Sequence, residues 1–135
     1  ETVLDVGCGS GILAIAAVQF GAARSIGIDI NEAGLLAADA NARRNGVIET
    51  THFASTNLDQ LTQKFDVVLA NIHDQTLREL ASDLVGRLKP TGWLGLSGVS
   101  PGQISRLIAA FPEVAFEPVK EMEEWNAVIG QLIIE

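Results

Sequence analysis

The sequence predicts one α/β domain in which helices cover both faces of a mostly parallel, seven-stranded sheet. Apolar, β-rich runs alternate with helical segments along most of the 135 residues, which is typical of parallel βα units. A glycine-rich turn separates the first strand from the first helix. Two strand-like runs with only three residues between them close the chain, and so short a connection makes an antiparallel hairpin.

The first half of the chain contains three strand-like runs and two helical segments. Gly21 ends the first helical segment, while Asn31 is a suitable N-cap and Asn45-Gly46 a suitable stop signal for the second. A polar stretch, Ser55–Lys64, follows these elements. The predicted elements, in order, are the strand Val3–Val6, the helix Ile12–Phe20, the strand Ser25–Ile30, the helix Glu32–Arg44 and a weaker strand, Glu49–Ala54.

The second half begins with Phe65–Ala70, whose unbroken apolar character predicts a strand buried on both faces. Pro90-Thr91-Gly92 predicts a turn before the fifth strand. Right-handed crossovers between parallel strands place the helices on both faces of the sheet. The other predicted elements are the helix Asp74–Leu88, the strand Trp93–Ser97, the helix Pro101–Phe111 and the hairpin strands Phe116–Glu123 and Ala127–Ile134.

The composition of the chain disfavours some kinds of function. The net charge of −8 argues against nucleic-acid binding, because a phosphate backbone is held mainly by Lys and Arg. It suits a basic protein partner, although an acidic surface is also common among soluble enzymes. One Cys cannot form an internal disulfide, and no apolar run approaches the ~20 residues that span a bilayer. We therefore expect a cytoplasmic protein that does not enter membranes.

The chain opens inside a strand pattern, at Glu1–Asp5. Composition and pattern run without a linker, a repeat or a low-complexity tract from there to the last residue. We expect residues 1–135 to be one domain of a longer protein, from which an upstream part is missing.

The glycine turn has the pattern Asp5-x-Gly7-x-Gly9-x-Gly11. A strand, glycine turn and helix in succession offer backbone N–H groups and a positive helix end to a ligand. A dinucleotide fingerprint needs its third Gly three residues after the second, and position 12 here is Ile. Because no pyrophosphate need be bound, the turn can instead lie along a nucleoside and an amino-acid tail, and Asp5 can fix the turn or contact an amino group through water. The alternative is a tight βα turn without a ligand.

Asp29 ends the second strand, which a doubly wound sheet places beside the first loop. A carboxylate at that position can accept hydrogen bonds from both hydroxyls of a ribose. The alternative is a helix-entry Asp, but Asn31 is better placed as the cap. Because NAD also uses an acid here, Asp29 does not by itself identify the ligand.

Several segments together resemble a known family. VLDVGCGSGILAIAA followed by GIDIN resembles the first two motifs of the class I, Rossmann-like S-adenosylmethionine methyltransferases. ANARRNGV, FDVVLANI, LKPTGWLGLSG and EEWNAVIGQ narrow the resemblance to the bacterial methyltransferases of ribosomal protein L11. The resemblance implies a seven-stranded class I methyltransferase sheet that binds S-adenosylmethionine and releases S-adenosylhomocysteine.

The resemblance also assigns roles to residues of the first two strands. Gly7 would contact the cofactor through its backbone, and Gly9 and Gly11 would shape the turn. Asp29 would hold the ribose hydroxyls.

Further along the chain, Asn71 matches the family's asparagine after the fourth strand, where the cofactor meets the substrate amine. Thr56 and Asn57 are candidates for binding the adenine. Two departures put the substrate in question: the family's upstream recruiting domain and cofactor segment are missing, and His73-Asp74-Gln75 replaces small apolar residues.

Asn71 cannot act as a base at neutral pH, so its expected role is to orient the amine and to contact the cofactor. Asp74 is interpreted as the N-cap of the next helix and His73 as an exposed loop residue. We assign no nucleophilic role to Cys8. Without Cys pairs, and with two distant His residues, the sequence predicts no metal site.

The sequence thus predicts a methyltransferase that modifies amino groups, of lysine above all, in a basic ribosomal protein of the L11 type. A methyltransferase acting on another protein lysine or on a small molecule is the nearest alternative. Hypotheses from other classes are an NAD-dependent oxidoreductase and a non-catalytic binding module.

Overall fold

A computed structural model describes residues 1–118 and 126–133 of the chain. The strands are β1 Thr2–Val6, β2 Arg24–Ile28, β3 Thr51–Ala54, β4 Phe65–Asn71, β5 Leu88–Val99, β6 Val114–Phe116 and β7 Asn126–Leu132. The helices are α1 Ile12–Gln19, α2 Glu32–Arg44, α3 Asp74–Glu79, α4 Ala81–Gly86 and α5 Ile104–Ala109. Short 3₁₀ turns lie at Leu58–Gln60 and Pro101–Gln103.

The strands form one seven-stranded sheet in the order β3-β2-β1-β4-β5-β7-β6. β1 to β5 are parallel, and β7 lies antiparallel between β5 and β6. The mostly parallel sheet with an antiparallel C-terminal pair is therefore confirmed. Because the chain builds outward from β1 first in one direction and then in the other, the boundary between β1 and β4 is a switch point, where such sheets bind ligands.

The main core lies between the sheet and α3, α4 and α5. Alternate residues of the central strands point into it, for example Leu4 beside Val68. Burial of each such side chain stabilises the fold by roughly 1.5–3 kcal/mol. Fully buried members are Leu4, Phe65, Val68, Leu77, Leu84, Leu94, Val99 and Leu107.

The other face of the sheet is only partly covered. α1 packs against β1 and β2, and α2 against β3. Further along this face, Val67 is paired with Trp93 and Gly95 with Ile129. Trp93 is 37% exposed and Ile129 is 52% exposed, so we call Val67, Leu69, Trp93 and Ile129 the open apolar face.

Three predicted elements differ most clearly from the structure. The helix 74–88 is interrupted at Leu80 (φ −92°, ψ 3°), and the apolar spacing could not show this because it continues through the break. The predicted turn at Pro90-Thr91-Gly92 lies inside β5, as a bulge between the pairs Phe65–Leu88 and Val67–Trp93.

The first hairpin strand was predicted too late in the chain, since β6 covers Val114–Phe116. Residues 117 and 118 of that prediction follow β6 outside any strand, and residues 119–123 lie outside the described part of the chain. In residues 1–118 and 126–133, helices of the length and apolar character needed to cross a bilayer are absent.

Candidate functional site

A cleft of about 460 Å³ opens at the carboxyl ends of β1 and β2, within the usual size range of ligand sites. The loop after β3, the residue after β4, and α3 and α4 complete its wall. The lining residues are Val6, Gly7, Ile28, Asp29, Ile30, Thr56, Asn57, Leu58, Asp59, Ile72, Thr76, Leu80 and Asp83.

The glycine turn brings backbone to the cleft at Gly7. The N–H groups of Gly7 and Cys8 donate to the carbonyl of Ile28 at 2.9 and 3.0 Å, which ties the turn to β2. Gly7 has φ +73°, and a Cβ there would lie 2.7 Å from Cγ2 of Ile72. A side chain at this position would be strained and would fill space at the cleft wall.

Asp29 is held in one orientation by two backbone groups. Its Oδ2 accepts from the N–H of Gly9 at 2.8 Å, and its Oδ1 accepts from the N–H of Asn31 at 2.9 Å. The carboxylate remains partly exposed. Since a carboxylate offers about four lone-pair sites, it keeps acceptor capacity for ligand hydroxyls. Asn31 caps α2 as predicted, accepting from the N–H of Ala33 at 3.0 Å.

Gly9, Gly11 and Asp5 are not among the residues that line the cleft. Gly11 is the N-cap of α1 with φ +82°, and a Cβ there would lie 2.9 Å from the ring of Phe53. Asp5 is 2% exposed and lies behind the turn. Gly9 and Gly11, both with positive φ, therefore contribute to the shape of the turn, and Asp5 lies outside the cleft.

Burial raises the pKa of two ionisable groups at the glycine turn, Asp5 and Cys8. Desolvation raises the pKa of Asp5 to about 7; a hydrogen bond from the backbone of Ala14 opposes this, and the charge of Asp29 adds to it. Oδ2 of Asp5 lacks a hydrogen-bond partner among the described residues. Burial likewise raises the pKa of the Cys8 thiol to about 12, with the charges of Asp5 and Asp29 contributing. A thiol held protonated is a poor nucleophile.

Thr56 and Asn57 lie on the cleft wall beyond Asp29. The hydroxyl of Thr56 donates to Oε1 of Gln60 at 2.8 Å. Ile30 lines the same part of the cleft and is 77% exposed. Sequence reasoning missed Ile30, although an apolar residue directly after a strand-ending acid was a usable signal.

Three carboxylates line the cleft, those of Asp29, Asp59 and Asp83, whereas Lys and Arg are absent from its described lining. Sequence reasoning also missed Asp59 and Asp83, which lie on separate elements and reach the cleft only in the folded chain. An acidic wall attracts a ligand that carries positive charge and repels a pyrophosphate.

Asn71 lines a second cavity, of about 340 Å³, with Ile72, His73, Thr76 and Gly98. Ile72 and Thr76 also line the first cleft, so the two spaces adjoin. A Cβ on Gly98 would lie 2.8 Å from Oδ1 of Asn71. The glycine therefore leaves room for the side chain of Asn71.

The interpretation of Asp74 as an N-cap is wrong. His73 occupies the cap position and is exposed, whereas Asp74 is the first helical residue and is 3% exposed. Oδ2 of Asp74 lies 3.0 Å from Nε of Arg78 and 3.5 Å from a terminal nitrogen of Arg106. Arg106 is on α5, 32 residues further along the chain, a distance that local sequence patterns do not bridge.

The strand order, the antiparallel β7 and the cleft at the switch point define the class I S-adenosylmethionine-dependent methyltransferase fold. Solved structures agree. The L11 methylase of Lactobacillus delbrueckii subsp. bulgaricus superposes with a TM-score of 0.90 at 32% identity, covering 97% of this chain and 70% of that one. An RNA methyltransferase of Salinibacter ruber, solved with S-adenosyl-L-homocysteine, shares the fold at a TM-score of 0.82 and 20% identity, covering 100% and 82% of the two chains.

The family model "Ribosomal protein L11 methyltransferase (PrmA)" matches residues 1–132, and the chain belongs to that family. The ribosomal protein L11 methyltransferase of Serratia proteamaculans is 47% identical over 133 residues, which are 97% of this chain and 45% of the relative. The corresponding protein of Actinobacillus pleuropneumoniae is 43% identical over 131 residues, 96% of this chain and 45% of the relative. The chain thus spans under half the length of these relatives. S-adenosylmethionine is the cofactor of the family.

Proposed function

We propose that this chain transfers methyl groups from S-adenosylmethionine to amino groups, of lysine above all, in a ribosomal protein of the L11 type. One observation carries the proposal. The cleft that holds Gly7 and Asp29 adjoins, through Ile72 and Thr76, the cavity that holds Asn71. A nucleoside bound in the first space and an acceptor bound in the second would be separated only by this shared wall, as a direct transfer between two bound partners requires.

The residues of the cleft fit the cofactor. Asp29 has the free lone pairs and the fixed orientation to accept both ribose hydroxyls. Gly7 offers its backbone without a side chain in the way. Thr56 and Asn57 line the cleft and are our candidates for contacting the adenine, and the acidic wall suits the positive sulfonium and ammonium groups.

The cofactor supplies a methyl group activated by the sulfonium. The chain's part is to orient the acceptor amine, which must be neutral to attack although a free Lys has a pKa of ~10.4. Oδ1 of Asn71 can accept a hydrogen bond from an N–H of the amine. The lone pair of the amine nitrogen would then point towards the first cleft. Ile72, between the two spaces, limits water at the point of transfer. An amide is not a base at neutral pH, so the acceptor's proton passes to solvent.

The partner we propose is a basic protein, because the chain carries a net charge of −8 and long-range attraction speeds such encounters. The same charge and the acidic cleft disfavour a direct role for nucleic acid. We propose cytoplasmic action, where ribosomal proteins are made, without a membrane step.

We also propose that residues 1–135 are the catalytic domain of a longer protein, whose further segment covers the open apolar face. An uncovered sheet face is unfavourable in water, and the relatives are more than twice as long as the matched region. An added Cys at position 129 tests this, because the native Cys8 is buried and its thiol pKa is raised. Ile129→Cys should react with a thiol reagent quickly in this chain and slowly in a polypeptide extended to the relatives' length. Leu36→Cys, on α2 and also exposed, is the control that should react quickly in both. Equal protection of the two positions in the extended polypeptide would contradict the proposal.

Two measurements test the proposed reaction. Calorimetry should show binding of S-adenosylmethionine and not of NAD, which an oxidoreductase would bind. Transfer of a labelled methyl group should then mark L11 among isolated ribosomal proteins, on lysine or α-amino groups. Labelling of another protein or of a small molecule would shift the proposal to that acceptor. Cofactor binding without label transfer to any acceptor, in this chain and in the extended polypeptide, would make the chain a binding module.

A further inference from the structure

A third cavity lies between α3 and the start of α5. It has a volume of about 620 Å³ and adjoins the Asn71 cavity, with which it shares His73 and Gly98. Its lining is mostly polar and comprises His73, Asp74, Gln75, Arg78, Gly98, Ser100, Gln103 and Arg106. The mechanism proposed above leaves this cavity unused.

The charges of the residues that line this cavity do not cancel. Arg78 and Arg106 both lie beside one oxygen of Asp74, at 3.0 and 3.5 Å. Two guanidinium groups against one carboxylate leave one positive charge. Glu is absent from the described lining, and Asp74 is its one acid.

The two arginines keep donors for a ligand. A guanidinium has five N–H donors, and Arg78 donates one of them, its Nε–H, to Oδ2 of Asp74. The side chains of Arg78 and Arg106 are 33% and 58% exposed, whereas that of Asp74 is 2% exposed. The buried acid therefore holds two half-exposed guanidinium groups in place, which lowers the ordering cost of binding an anion.

We propose that this cavity binds the carboxylate of an acidic residue that flanks the acceptor amine in the protein substrate. The bound carboxylate would complete a neutral cluster of two guanidinium groups and two carboxylates, and Arg is suited to such bidentate pairing. The inference rests on the proposed function, since it names a substrate feature for the same acceptor site.

The surroundings favour a single carboxylate over a phosphate chain. The chain as a whole carries a charge of −8, so a polyanion would be repelled outside this one cavity. A peptide with a basic acceptor and one acidic neighbour carries no net repulsive charge. It can place its amine at Asn71 and its carboxylate at Arg78 and Arg106.

The test uses a short peptide with one Lys and one Glu nearby, a second peptide with Gln in place of that Glu, and inorganic phosphate. Binding is followed by NMR at the Nε–H groups of Arg78 and Arg106, with S-adenosylmethionine present. We expect the Glu peptide to shift both signals and to bind about tenfold more tightly than the Gln peptide, which is the magnitude of one charged hydrogen bond. Arg106→Gln should abolish this difference. Arg43→Gln, an exposed position on α2, should keep it.

Equal binding of the two peptides, or an equal effect of Arg106→Gln and Arg43→Gln, would overturn the inference. Tighter binding of phosphate than of the Glu peptide at the same signals would reassign the cavity to phosphate and also overturn it. Calorimetry with S-adenosylmethionine on the same samples distinguishes a failure of this inference from a failure of the proposed function. If S-adenosylmethionine binds and the peptides behave alike, only this inference fails; if S-adenosylmethionine does not bind, the proposed function fails as well.

Discussion

Asp29 shows how a single residue can be fixed before any ligand arrives. Each of its oxygens accepts one backbone N–H, from Gly9 and from Asn31. The carboxylate therefore joins the glycine turn to the end of β2 while remaining partly exposed at the cleft. An acceptor that is already ordered loses little entropy on binding, so we expect Asp29 to contribute strongly to cofactor affinity.

We predict that Asp29→Asn lowers the affinity for S-adenosylmethionine at least about tenfold, as expected for loss of one charged hydrogen bond. The amide NH₂ cannot accept, so one of the two backbone N–H groups also loses its partner. Calorimetry measures the affinity. Asp39→Asn, on the exposed side of α2, is the matched control, and equal affinities in the two variants would count against the ribose role.

In contrast to the partly exposed Asp29, Asp5 is buried behind the turn. Its pKa is raised to about 7 from an ordinary value of 3.8. The folded chain therefore holds a proton that the unfolded chain has already lost at intermediate pH. The stability that this proton provides is fully present below about pH 4 and is lost as the pH rises to about 7.

We predict that Asp5→Asn removes this loss, because an amide does not ionise. At about pH 8 the variant should have a free energy of unfolding higher than that of the unmodified chain by roughly 2–4 kcal/mol, from the shift of about three pKa units. Urea unfolding at several pH values measures this. Asp39→Asn should follow the unmodified chain, and a steep fall between pH 4 and 7 that persists in Asp5→Asn would show that another group causes it.

At the scale of elements, the glycine turn determines where β1 ends and how α1 begins. Gly7, Gly9 and Gly11 all have positive φ, a region that other residues adopt only with strain. The turn is tied to β2 through the carbonyl of Ile28 and through Asp29. The shape of the cleft therefore depends on the turn as a unit.

We predict that Gly7→Ala lowers the free energy of unfolding by roughly 1–3 kcal/mol, because of its positive φ and the contact with Ile72. It should also weaken cofactor binding, since Ile72 lines the cleft. Chemical unfolding and calorimetry check the two effects. Gly86→Ala, where a Cβ would meet nothing within 4 Å, should leave cofactor affinity unchanged. Unchanged binding and stability in Gly7→Ala would contradict this account of the turn.

At the scale of the whole molecule, the two faces of the sheet differ. α3, α4 and α5 cover one face, whereas Trp93 and Ile129 remain exposed on the other. Exposed apolar surface of this kind usually marks an interaction site.

We predict that the double change Trp93→Gln and Ile129→Gln reduces the binding of an apolar fluorescent dye by this chain by at least about half, because it removes the two most exposed large side chains of the open apolar face. Dye fluorescence at fixed protein concentration is the measurement. Leu36→Gln, also exposed and on α2, should change the signal little. A larger effect of Leu36→Gln would show that the open apolar face is not the main surface that binds the dye.

The sequence by itself determined the order of the seven strands and the helices between them, the antiparallel strands at the end of the sheet, the glycine turn, and Asn31 as the cap of α2. These features follow from short-range patterns, since strand alternation, capping and turn chemistry act over a few residues. Only the tertiary structure decided that Asp5 lies behind the turn, that Asp59 and Asp83 reach the cleft, and that Asp74 joins α3 to Arg106 on α5. Each of these depends on residues that are far apart in the chain and meet only when the helices pack on the sheet, and no local pattern records such packing.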